Sequence, residues 1–403
     1  MSANGVGADG RWLGVGSATG PDAAVAAFRA AAGALTGALT GADPRLLLVF
    51  ASVDYDPASV AEGLAMAAPG VPVIGCSSRG EISPAGSRGS SIVAIAFGGP
   101  GFAVTTAVAE GVSGRQRLAG AEVAAAVAED SGLPHRVVLL LTDSLVREQE
   151  SILRGCYGVL GAGVPMVGGA AAERREAGNH LCASTFLLHD GKVHTDAVVA
   201  ATLASAGPLS VSVRHGWRKF GEPMIVTSTG EGRVYTLDDR PAMDVYLDRL
   251  GAPPEAYTDA AAFTRFALPR PLGVQRRSGV QPRNLATGFD LDGRSISGGS
   301  AIDHGCLTWA MCGDEQSVLA AADQACAEAI DGLGGVEPLG LVTFSCSALL
   351  PVLGPDGTRR ENETFAARSA GKPFGGFHTS GEIARVRGID GFHNQTLAVL
   401  ALG

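Results

Sequence analysis

One loop occurs twice in this chain, and any fold it adopts has to accommodate both copies. The stretch PVIGCSSRGEI, Pro72 to Ile82, returns as PFGGFHTSGEI, Pro373 to Ile383, with proline, glycine, a hydroxyl residue and Gly-Glu-Ile at the same spacings. The surroundings recur with it. RLLLVFASV (45–53) reads as a buried strand, 58–68 as a short helix, VPVIGC (71–76) as a strand and SIVAIAF (91–97) as another. The same order returns as RVVLLLTDS (136–144), REQESILRGCYGVLG (147–161), VPMVGGAAAE (164–173) and the strands ASTFLLH (183–189) and DAVVAATL (196–203). It returns again as LGLVTFSCSAL (339–349), a helix over 361–370, PFGG and HNQTLAVLAL (393–402). The unit is strand, helix, strand, loop, strand. Its first and third copies keep Gly-Glu-Ile, and the middle one keeps only Pro-x-x-Gly.

Strand–helix–strand units with continuous apolar strands favour a parallel or mixed sheet with helices on its faces. A helix of about 10–12 residues is the usual right-handed crossover between parallel strands. The predicted fold is therefore α/β: duplicated mixed β-sheets covered by helices, in two domains with pseudo-symmetric repeated units. A chain of 403 residues exceeds one ordinary core. Residues 1–10 are expected as a flexible tail, 11–214 as one α/β domain and 215–403 as a second. The boundary falls near SVRHGWRKFGEP (212–223), where polar, basic and glycine residues interrupt the apolar strands. RWLGVGSAT reads as a strand, and Gly20-Pro21-Asp22 opens an alanine-rich helix. PMIVTSTGEGRVYTLDD (223–239) reads as a hairpin turning at Gly230-Glu231-Gly232, and PAMDVYLDRLG (241–251) as an amphipathic helix stopped by glycine.

Composition removes several classes of function. Hydrophobic residues make up 46% and charged residues 18%, enough apolar side chain for large cores. The net charge is −9 and the basic residues do not cluster, which argues against a nucleic-acid partner. The start, MSANGVGADGRW, has neither a basic nor an apolar segment, and no apolar run approaches the roughly 20 residues that span a bilayer. Seven cysteines without a C-x-x-C pair fit reduced thiols. A cytoplasmic protein without a membrane span is expected. GVGADG (Gly5 to Gly10) spells G-x-G-x-x-G without the preceding strand a dinucleotide site needs. Walker A, G-x-S-x-G and H-E-x-x-H motifs are absent from the sequence.

The repeated loop carries the chemistry. Its glycines permit close backbone approach and positive φ. The first copy offers the thiol of Cys76, the hydroxyls of Ser77 and Ser78, and Gly80 followed by Glu81. The second offers His378, Thr379 and Gly381 followed by Glu382, with Cys346 ending an equivalent strand. Such a polar concavity at the C-terminal ends of strands is where α/β sheets hold ligands. Two carboxylates suit an ammonium group and backbone N–H groups suit a carboxylate, which together describe an amino acid or a related small polar molecule. A second reading stays open: a tight turn whose carboxylate caps neighbouring N–H groups.

VPVIGCSSRGEISPAG, FSCSALLPVLG, GGFHTSGEI and FHNQTLAVLAL resemble the hallmark segments of the FIST family, over nearly the whole chain after residue 10. The resemblance implies FIST-N over about 11–214 and FIST-C over about 215–403. It further implies an intracellular sensory module proposed to bind small ligands such as amino acids. It also implies a haem alternative, because one branch resembles haem-binding nitric-oxide sensors. The chain departs from the pattern where Ser380 replaces a common tyrosine, and where Ala348, Leu349 and Leu350 replace a nearby arginine. Arg283-Asn284 in QPRNLATGFD match the family and are expected to supply the cation.

The expected site therefore comprises Cys76, Ser77, Ser78, Gly80, Glu81, Arg283, Asn284, Cys346, His378, Thr379, Gly381 and Glu382, with no metal and no catalytic residue. No output region is fused, so a separate signalling partner is expected. Two alternatives stand beside the sensor. One is a haem-based gas sensor using a histidine among His180, His189, His194 and His215. The other is a thiol enzyme using Cys76 or Cys346, for which a Cys–His pair with His378 is conceivable.

Overall fold

The computed structural model describes residues 4–7, 9–36, 43–86, 89–176, 179–230, 232–277, 279–286, 288–298, 300, 302–386 and 391–403. Three units build an α/β fold of mixed sheets covered by helices. The first comprises β1 (Trp12–Thr19), α1 (Ala23–Thr36), β2 (Pro44–Ser52), α2 (Pro57–Ala67), β3 (Val73–Ser78), β4 (Glu81–Ile82) and β5 (Ser91–Gly98). The second comprises β6 (Phe102–Glu110), α3 (Gln116–Ala126), β7 (His135–Thr142), α4 (Gln149–Leu160), β8 (Met166–Ala170), β9 (Leu187–His189) and β10 (Ala197–Ser205). The third begins with β11 (Leu209–Arg214), which precedes a long insertion.

The insertion contains β12 (Arg218–Gly230), β13 (Arg233–Leu237), α5 (Ala242–Arg249), α6 (Ala260–Ala267), β14 (Leu272–Arg276), β15 (Gly279–Arg283) and β16 (Leu307–Cys312). The third unit resumes with α7 (Glu315–Asp331), β17 (Gly340–Cys346), α8 (Leu350–Ser369), β18 (Phe374–Thr379), β19 (Glu382–Arg385) and β20 (Leu397–Leu402). The hairpin expected over 223–239 is β12–β13; Glu231 in its turn lies outside the described residues. Asn4–Val6, expected within a flexible tail, adds an edge strand to Trp12–Gly14.

The three sheets share one strand order: β1-β5-β2-β3, β6-β10-β7-β8 and β11-β20-β17-β18. In each, the two strands joined by the crossover helix run parallel and the rest run antiparallel. In each sheet the next strand comes from another unit. β4 pairs with β18, β19 with β8, and β9 with β3. The first unit thus lends a strand to the third, the third to the second, and the second to the first. An exposed parallel edge would otherwise offer unpaired N–H and C=O groups to any passing strand.

Strand alternation explains how three sheets share a centre. Leu46, Leu48 and Phe50 of β2 enter one central cluster with Val137, Leu139 and Leu141 of β7 and Val342 and Phe344 of β17. Their neighbours Leu47, Val49 and Ala51 face α1 and α2 instead. Successive strand residues point to opposite faces, and both faces are covered, so these strands read as unbroken apolar runs. Phe50 stacks on Phe377 at 4.3 Å between ring centroids and meets Phe344 edge-on, joining the first and third units.

Small residues bring the helix layer close. A Cβ on Gly155 of α4 would lie 2.0 Å from the Arg117 carbonyl of α3, and one on Gly120 would lie 2.1 Å from the Ile152 carbonyl. The insertion has its own core, which includes Met224, Val226, Tyr246, Phe263, Val274 and Ala310. It is tied back at three points. Trp217 donates through Nε1 to the Gln395 carbonyl (2.8 Å), Gln395 donates to the Leu268 carbonyl (2.8 Å), and Arg283 lies 3.6 Å from Glu150 of α4.

Candidate functional site

The two Gly-Glu-Ile loops are strand-exchange joints. After β3 the chain turns at Arg79-Gly80 and delivers Glu81 and Ile82 to the edge of β18, where Glu81 sits opposite Phe377. After β18 it turns at Ser380-Gly381 and delivers Glu382 to the edge of β8, opposite Gly169. Gly381 has φ +142°, and a Cβ there would strike the Phe392 ring at 2.3 Å, so glycine is required. Backbone bonds lock the crossings: His378 N–H donates to the Gly80 carbonyl (2.8 Å) and Ala170 N–H to the Gly381 carbonyl (2.8 Å).

Both glutamates turn inward. Glu81 accepts the hydroxyls of Ser78 and Ser91. Glu382 accepts those of Thr379 and Thr396 (2.7 Å for the latter) and the Thr396 N–H (3.0 Å). Each carboxylate therefore ties the end of one strand to the start of the next in its own unit. Burial pushes both carboxyls up to about 7, against the opposing pull of these hydroxyl donors.

The middle unit solves the same problem differently. Counted nine residues from its proline, the place of Glu81 and Glu382 is taken by Arg174. A hairpin of Arg174–Glu176 with Asn179–Ser184 intervenes, however, and by register the exchanged position is Leu187, opposite Cys76. The carboxylate comes instead from Asp143 at the end of β7, which accepts the Asp196 N–H (2.8 Å), the Leu145 N–H (2.9 Å) and the Thr185 hydroxyl (2.6 Å). Asp143 is a functional counterpart that pattern matching on Gly-Glu misses.

The three exchange loops converge on one cleft of about 1390 Å³. Arg79 and Gly80 line it from the first loop, Glu173 and Arg174 from the second, and Ser380 from the third. The strand ends contribute Ser52 to Asp54 after β2 and Cys346 to Ala348 after β17. The insertion forms the remaining wall with Thr264, Arg265 and Leu268 of α6 and its flank, and with Asn284 and Ala286. Leu350 and Pro351, at the start of α8, also line it. Asn394 also lines the cleft; its amide donates to the His393 carbonyl (3.1 Å), while its buried Oδ1 has no protein partner.

Of the residues expected from sequence, Gly80, Asn284 and Cys346 line this cleft. Ser77 supports it by donating to the Ala172 carbonyl (2.7 Å), binding the first exchange loop to the second. Ser78, Thr379, Gly381 and Glu382 hold the loops from beneath. Arg283 is fully buried and paired toward Glu150, away from the cleft lining. Glu81 and His378 instead border a second cavity of about 290 Å³ beside α8. There His378 lies 3.3 Å from Glu361, which also accepts the Ser345 hydroxyl (2.9 Å). The two carboxylates therefore do not face each other across one cleft. The arginines at the cleft, Arg79, Arg174 and Arg265, are signalled in sequence only by loop position, because nothing in the local sequence orients the insertion.

Neither cysteine is an exposed thiolate. Cys76 belongs to the central apolar cluster, and burial pushes both its thiol and that of Cys346 well up, reinforced by the nearby Glu81 and Glu382. The described histidines among those considered for haem lie away from the cleft. His189 and His194 sit on a hairpin and bond Thr106 (3.2 Å) and Glu110 (2.7 Å), His215 bonds the Val280 carbonyl (3.0 Å), and none lines the large cleft. The side chain of His180 lies outside the described residues. Among the described residues no group of three His, Cys, Asp or Glu is arranged to hold a metal ion.

The exchanged α/β fold places a cleft at its strand ends, the region where open α/β sheets commonly hold ligands. The FIST N domain matches residues 45–240 and the FIST C domain residues 242–385, and the chain belongs to the FIST family. FIST domains are sensory domains of signal transduction. No curated protein matches the chain. Among solved structures, T. maritima PurL complexed with ADP is 14% identical, with 99% of this chain and 73% of that chain covered and a TM-score of 0.26. Phosphoribosylformylglycinamidine synthase II from Thermotoga maritima is 12% identical over the same shares, with a TM-score of 0.25. Both are too distant to bear on fold or function. Among the described residues no helix is long and apolar enough to cross a membrane.

Proposed function

We propose that this protein is a non-enzymatic sensor that holds a small polar ligand, of the size and character of an amino acid or a related metabolite, in the cleft where the three exchange loops meet the insertion. The observation that carries this reading is the convergence itself. Nine separate segments of the chain, from Ser52–Asp54 to Asn394, place polar side chains around one space. A ligand bound there contacts all three units and the insertion at once, and changes in their relative placement are the natural output to a separate partner. The raised thiol pKa values at Cys76 and Cys346 support a binding role over nucleophilic chemistry.

The test is thermal unfolding against a panel of amino acids, small carboxylates and polyamines. A ligand at 100 times its dissociation constant stabilises the folded state by roughly 2.7 kcal/mol. Ala348→Trp places an indole into the cleft from its wall and is expected to abolish any such shift. A hit that survives Ala348→Trp, or a ligand that is chemically converted, would overturn the reading.

A further inference from the structure

The cleft is cationic in an acidic protein. The chain carries a net charge of −9, yet three guanidiniums line this one space: Arg79, Arg174 and Arg265. They arrive from three independent places: the first exchange loop, the second exchange loop and helix α6 of the insertion. Among the described residues none of the three is held in an ion pair; Arg79 makes a single bond, to the Glu173 carbonyl (3.2 Å). Of the two carboxylate residues on the lining, Asp54 already accepts the Ser90 hydroxyl (2.9 Å). Elsewhere on the surface, arginines such as Arg115, Arg214 and Arg368 are matched to a carboxylate. Unmatched guanidiniums gathered at a concave, polar site are arranged for an anion, which they grip through paired N–H donors.

One further feature points the same way. The middle unit withdraws its structural carboxylate from the loop: Asp143 takes that task below, and the ninth position after the proline is an exposed arginine on the cleft. Volume adds a constraint. About 1390 Å³ is more than a single small zwitterion fills, and pockets for drug-sized ligands run from about 300 to 1,000 Å³.

We propose that the cleft takes a ligand bearing at least two anionic groups, phosphate or carboxylate, each gripped by a guanidinium from a different segment. This rests on the reading of the cleft as the sensory site and narrows it to a chemical class. A dianion bridging Arg79 or Arg174 to Arg265 draws the insertion against the exchange loops, and a neutral ligand has no such leverage.

The experiment is calorimetric titration of the full chain with four probes: inorganic pyrophosphate, citrate, leucine and lysine. Pyrophosphate or citrate is expected to bind, and leucine and lysine are not. Pyrophosphate without citrate assigns the phosphate source, and the reverse assigns the carboxylate source. Arg79→Gln, Arg174→Gln and Arg265→Gln should each weaken the bound anion by roughly tenfold or more. Arg117→Gln, an exposed arginine on α3 far from the cleft in sequence, is expected to leave affinity unchanged. All four positions are exposed, so the variants should fold, which circular dichroism checks. If leucine or lysine binds in a manner blocked by Ala348→Trp while both anions fail, the anionic inference is overturned and the sensor reading stands. Anion binding insensitive to all three cleft substitutions also overturns it. If every probe fails, or binds regardless of Ala348→Trp, both fall.

Discussion

At the scale of single residues, the buried glutamates decide how this protein answers pH. Glu81 and Glu382 ionise near 4.5 when exposed and are pushed up to about 7 in the fold, chiefly by burial. Between those values the folded protein holds protons that the unfolded chain has released. Their contribution is therefore fully present below about 4.5 and is lost as pH rises through about 7. Each tenfold change in a group's acidity on folding is worth about 1.4 kcal/mol, so the pair costs on the order of a few kcal/mol across the window. The double variant Glu81→Gln, Glu382→Gln keeps the shape of the neutral acids and removes the titration. Melting curves across the weakly acidic to weakly basic range should show the wild type losing stability relative to this variant as pH rises. Parallel profiles would mean that these carboxyls titrate normally. The Gly-Glu signature is legible in sequence. Its meaning is not, because a carboxylate that holds hydroxyls and one that holds a ligand require the same residue.

At the scale of elements, the close contact of α3 with α4 rests on absent side chains. Gly120 and Gly155 each face a backbone carbonyl of the other helix that cannot move aside. Gly155→Val is expected to destabilise by about 3 kcal/mol, read from urea unfolding. Gly158, on the same helix, has nothing within 4 Å of an added Cβ. Gly158→Ala should instead gain about 0.5–1 kcal/mol from helix propensity. Equal effects at the two sites would sink the packing account. The helices themselves are predictable. Expected at 58–68 and 147–161, they span Pro57–Ala67 and Gln149–Leu160, and Asp56 caps the first through the Ser59 N–H (2.8 Å). The one expected at 361–370 begins earlier, at Leu350, and is interrupted at Gly354, where φ is +63°. Gly354-Pro355 hides that first turn from a periodicity reading, because the pair is ordinarily a helix stop.

At the scale of the whole molecule, cyclic strand exchange makes the units interdependent. Residues 1–214 alone would leave β8 without β19 and would expose the central face of the first two sheets where β17, β18 and β20 pack. That fragment is expected to lack fixed tertiary structure, seen as lost near-ultraviolet circular dichroism and exposed apolar surface. The full chain should unfold in one transition up to the insertion, whose separate core permits a second. A fragment that melts cooperatively with native spectra would show that the exchange is dispensable.

Local pattern alone dictates the elements, the α/β class, the threefold recurrence of the unit and the family. Apolar runs, crossover-length helices and Gly-Pro punctuation all act between residues close together in the chain, so they can be read without knowing what packs on what. The assembled fold settles the rest. Glu81 and Glu382 brace separate units, Asp143 stands in for the missing third glutamate, and Arg283 is buried against Glu150. Arg79, Arg174 and Arg265 meet at one cleft only there. A strand as short as Glu81–Ile82 carries no address in its own side chains. Its partner is set by which sheet edge is left open once the three apolar faces have met, and that is a property of the completed core.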